Sequence, residues 1–200
     1  MEDVAKMDGF SKHELPSVVA RAVTGAGLDL RDFPDLALRI LSGGAVTPRG
    51  SGEDSDSIRS VSEWVLLNPR ASGGIRISRN ALNPIALVQA LLLSSSASVS
   101  ISVCISALLA LFAAFGAAIT RDQAALLVAL KRLEAEGRAR TVVAVAGKMT
   151  ILVGRPISTK ATIEIVEELR RIGVQFRGNG DDGGEIVCEE KSVFLGSQGP

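Results

Sequence analysis

Apolar residues recur along this chain in two rhythms, a helical spacing of three and four and a strand alternation of two. Leu15, Val18, Val19, Ala22 and Val23 follow the helical spacing behind Ser11-Lys12-His13-Glu14, an S-x-x-E capping box, and Gly25 and Gly27 supply the stop. Asp32 reads as the cap of a second helix, with Leu36, Ile40 and Leu41 on one face and Gly43-Gly44 at its end. Together they make a helical N-terminal unit, residues 1–42. Residues 43–60 are rich in Gly, Ser and Asp and read as a linker or loop. Ser51, Ser55, Ser57 and Ser60 lie there among charged neighbours, where phosphorylation is chemically feasible. The main domain is expected over 61–200.

Within it, Glu63–Leu67 and Gly74–Ser78 read as two strands joined by the turn NPRASGG. Asn83-Pro84 opens a helix that runs to Leu93. Ser98, Ser100 and Ser102 alternate with Val99, Ile101 and Val103, which predicts a strand, and Ile105–Ile119 turns Ala- and Leu-rich, which predicts a helix. Thr120-Arg121-Asp122-Gln123 caps the next helix, whose stripe is Leu126, Leu127, Leu130 and Leu133 and whose stop is Gly137. Arg140–Ala146 and Met149–Val153 alternate around Ala146-Gly147-Lys148 and predict a β-hairpin. Ser158 or Thr159 caps a helix over 160–172 with Ile163, Val166 and Leu169 inward and Gly173 at its stop. Strands at 174–177 and 185–189 flank the turn GNGDDGG, and Val193–Leu195 is a last short strand. The fold class is mixed α+β, helix-dominated, with small antiparallel β-hairpins.

One segment stands apart: from Asn80 to Thr120 there is no Asp, Glu, Lys, Arg or His. Such a run belongs in a core, a partner interface or a bilayer. Residues 99–119 are long enough as a helix to cross ~30 Å of hydrocarbon. Against a span stand the serines from Ser94 to Ser106, the lack of aromatic belts and the lack of a Lys/Arg bias at the flanks. A buried element is favoured, with a membrane anchor as the alternative.

Composition narrows the chemistry. Lys plus Arg and Asp plus Glu number 22 each, so the whole chain has no pull on polyphosphate or anionic lipid. There is no Tyr and one Trp, Trp64, which excludes an aromatic platform for stacked bases. Cys104 lies in the apolar run and reads as an inert buried thiol; with Cys188 and the sole histidine, His13, it falls short of the four ligands zinc needs. Asp181-Asp182 and Glu189-Glu190 lack EF-hand spacing, and Gly147-Lys148 lacks the glycines of a phosphate loop. No catalytic residue, metal or cofactor is expected. The N-terminus has no continuous apolar run of the signal-peptide kind, which suits a reducing compartment, cytoplasmic or nuclear.

The order helix, turn at Thr120, helix to Glu136, then a basic hairpin to Val153 resembles a winged helix-turn-helix over residues 105–153. That resemblance implies a second helix presenting Gln123, Lys131 and Arg132 to nucleic acid, and a wing presenting Arg138, Arg140 and Lys148 to phosphates. Local charge agrees: residues 121–160 hold eight cations and three carboxylates, a net of +5. Residues 178–200 are acidic, and a basic middle with an acidic end suits self-association.

These patterns point to a non-catalytic interaction or assembly protein that self-associates as a homo-oligomer. Its basic 121–160 surface would contact RNA or DNA, and other proteins are further partners. Small viral structural and accessory proteins share such motif-poor composition. If this surface binds phosphates, affinity should fall steeply with salt and drop when Arg138, Arg140 and Lys148 are neutralised. Binding indifferent to salt, measured by fluorescence anisotropy on RNA, would remove that reading.

Overall fold

The structure, a computed structural model, describes residues 13–47, 81–115, 118–178 and 184–188. It is helix-dominated and mixed α+β: seven helices and two short antiparallel strand pairs occur among the described residues. The expected strands at 63–67 and 74–78, the serines from Ser51 to Ser60, the strand Val193–Leu195 and the capping-box residue Ser11 lie outside the described residues.

Helix α1, Leu15–Gly25, buries Leu15, Val18, Val19 and Val23. Glu14 occupies its N-cap position, and the expected capping box, which needs Ser11, falls outside the described residues. Asp32 does not cap the second helix. It belongs to a single 3-10 turn, Leu30–Asp32, whose own cap is Asp29, accepting from the Arg31 N–H at 2.9 Å. Helix α2, Leu36–Ser42, starts three residues later than Asp32 would require, behind Asp35 in the left-handed region at φ 58°. A short polar side chain tolerates that conformation better than most.

The expected linker begins later than Gly43. Ala45 and Val46 are buried, and β1, Val46–Thr47, pairs with β2, Ala81–Leu82, in the register Val46↔Leu82. This pair carries the chain into α3, Pro84–Ser94, capped by the Asn83 side chain on the Ala86 N–H at 3.1 Å. The Asn-Pro start is as read.

Helix α4, Ile101–Ala114, replaces both the strand expected over 98–103 and the start of the helix expected from Ile105. The Ser100 hydroxyl accepts from the Val103 N–H and opens the helix inside the alternating run. Alternation over six residues fits a helix as well once its serines face water. Ser102 and Ser106 do so, and Ser106 Oγ donates to the Ser102 carbonyl at 3.0 Å. The opposite face, Cys104, Ile105, Leu108, Leu111 and Phe112, is fully buried. The uncharged run is thus mainly core, its wet side carrying Ser, Ala, Gln89 and Leu93. No helix among the described residues is long and apolar enough to cross a membrane.

Helix α5, Arg121–Ala135, lies at the centre. The expected cap at Thr120 is a capping box with Gln123, the Gln123 N–H reaching Thr120 Oγ1 at 3.2 Å and the Thr120 N–H reaching Gln123 Oε1 at 2.9 Å. Every residue from Gln123 to Leu130 is buried, because α3, α4 and two later helices enclose it.

The β-hairpin expected over 140–153 is absent. Helix α6, Val142–Val153, stands there, capped by Thr141 on the Ala144 N–H and closed by Gly154 at φ 78°. The reason is burial. Val142 to Ala146 is continuously apolar, so a two-stranded hairpin would expose one greasy face. As a helix the segment puts Val142, Val145, Ala146, Met149 and Leu152 against the core at spacings of three and four.

Helix α7, Thr159–Arg171, is capped by Ser158 as read. Val166 and Leu169 face inward with Ile165, while Ile163 is half-buried. Strands β3, Phe176–Arg177, and β4, Val187–Cys188, pair antiparallel on either side of the polar turn. One continuous core runs from Leu15 to Ile186, so the helices of 1–42 share it with the remainder.

Two substitutions test this packing. Leu108→Ala, in the fully buried face of α4, should cost about 2–5 kcal/mol. Leu38→Ala, on the exposed side of α2, should change stability by less than about 0.5 kcal/mol. Urea denaturation of both variants checks the difference.

Candidate interaction surface

The surface that the sequence singles out is built where α5 leaves the core. Its last turn carries Lys131, Arg132, Glu134 and Glu136, and the loop Gly137–Arg140 leads into α6. Gly137, at φ 63°, reverses the chain so that α6 returns along α5. Charges from both helices and from the C-terminal hairpin therefore meet in one place.

Glu134 pairs with Lys131 at 2.8 Å and with Arg140 at 3.6 Å. Arg140 also reaches Glu185 at 3.3 Å. Glu136 pairs with Arg138 at 3.5 Å and with Lys148. Three carboxylates thus hold four cations. The hydrogen bond from Lys148 holds the Glu136 carboxyl below the usual carboxylate range, with the charges of Lys148 and Arg138 adding to the effect. The C-terminal hairpin is fastened to this network. The Ile186 N–H donates to the Arg140 carbonyl at 2.9 Å, and Thr141 bridges Glu185.

The six residues expected to contact nucleic acid fare differently. Gln123 is only 7% exposed; it completes the α5 cap and donates to Glu168 Oε2 at 3.0 Å, tying α5 to α7. Lys131, Arg140 and Lys148 are mostly covered and held by carboxylates, and Arg138 is exposed but shares Glu136. Arg132 is half-buried, forms no ion pair among the described residues, and lies close enough to influence the Cys104 thiol. Burial pushes that thiol up from its ordinary value, against smaller opposing effects led by the Ser95 hydrogen bond. Cys104 is a free, buried thiol. Because α6 is a helix, Arg138, Arg140 and Lys148 form no wing, and the winged-helix resemblance loses the element that would touch phosphates.

The net of +5 also shrinks in space. Glu185 and Glu164 enter from outside the 121–160 window, on Arg140 and Lys160, and Asp122 holds Arg155.

Sequence reading overlooked what α6 turns outward. Val143 is 71% exposed and Ile151 78%, with exposed Gly147 midway between them. The spacing i, i+4, i+8 puts all three on one face. Lys148 is the only charged residue of α6, and it is turned onto Glu136. The signal available was the distance from a capping Thr141 to a stopping Gly154, which fits one helix.

Glu136 also sets a pH dependence. Its folded-state pKa is lowered, so its contribution is present above the unfolded carboxylate range and is lost as pH falls through it. Glu136→Gln should therefore flatten the loss of thermal stability between neutral pH and about pH 3.5, below the ordinary Glu value of about 4.3. Melting curves across pH test it; an unchanged slope would deny Glu136 this role.

No protein-family model, no curated protein and no solved structure matches this chain.

Proposed function

We propose that this chain is a non-catalytic interaction protein that assembles with copies of itself. One observation carries the reading: α6, a surface helix in the middle of the cation-rich region, turns a charge-free apolar face to water. A soluble monomer gains nothing from two large apolar side chains aligned on one helix face, whereas a partner buries them. The ion pairs around α6 support the same view. Cations already held by Glu134, Glu136 and Glu185 fix the loop and the C-terminal hairpin, giving α6 a rigid setting.

Contact with RNA or DNA is the weaker reading on this geometry. A phosphate would have to compete with those carboxylates, leaving Arg132 and Arg138 as the readiest contacts. An anchor in 99–119 is weaker too, since the apolar side chains of α4 are spent in the core. The free, buried Cys104 thiol suits a cytoplasmic or nuclear setting.

Sedimentation equilibrium on purified protein tests the reading. The mass should exceed 20.9 kDa, rise with protein concentration and persist in high salt. A monomer at every concentration would end it, and a monomer that binds RNA with steep salt dependence would favour nucleic acid instead.

A further inference from the structure

We draw no further inference here: the strongest candidate, the outward apolar face of α6 made by Val143, Gly147 and Ile151, carries nothing more because nothing in the structure shows what covers it.

Discussion

The fold depends on α5 being buried on all sides. From Gln123 to Leu130 every side chain is buried, which demands four neighbouring helices and small residues where they approach. Ala124, Ala125 and Ala129 provide that room, and Leu126, Leu127 and Leu130 fill the space between. The polar ends of α5 bear the connection to the outside. At its start the capping box reaches on to Glu168, and Arg155 clasps Asp122. At its end the charged last turn spreads into the ion-pair network. A core this poor in aromatic residues holds together through many aliphatic contacts rather than a few large rings.

The same constraint decides what the cations do. With the middle of α5 enclosed, its accessible charges are those of its two ends, and α6 returns across the ones at its last turn. Arg140 and Lys148 then serve to join the α5–α6 connection, α6 and the C-terminal hairpin. Gly178, at φ 73°, belongs to that arrangement: a Cβ there would meet the Glu185 carbonyl oxygen at 2.2 Å, so only glycine lets the two arms of the hairpin meet. A region that is strongly basic in one dimension is, in three, largely ion-paired within the chain. What it leaves outward is the apolar side of α6.

Much of the scaffold was legible because helix ends carry local chemistry. Asn83-Pro84, Thr120 with Gln123, and Ser158 each satisfy an amide within three residues, so nearby sequence suffices to find them. The misreadings share one cause. Where apolar residues run almost unbroken, as in Val142–Val153, or alternate only briefly, as in Ser98–Val103, periods of two and of 3.6 both fit. The choice then falls to whatever surface is available to cover the segment. The surroundings of the candidate cations were only partly legible: Glu134 and Glu136 stand beside them in the chain, but Glu185, the second partner of Arg140, lies 45 residues away.

The sequence by itself determined the helix-dominated α+β class and the caps that begin α3, α5 and α7, and it favoured burial of the uncharged run over a bilayer, because these follow from local hydrogen bonding and the cost of hydrating apolar surface. Only the tertiary structure decided that 142–153 is a helix, that six of the eight cations of 121–160 are held by carboxylates, and that Val143, Gly147 and Ile151 share an open face. Each of those depends on which distant side chains come within reach, and that is set by packing around α5 rather than by neighbours in the chain.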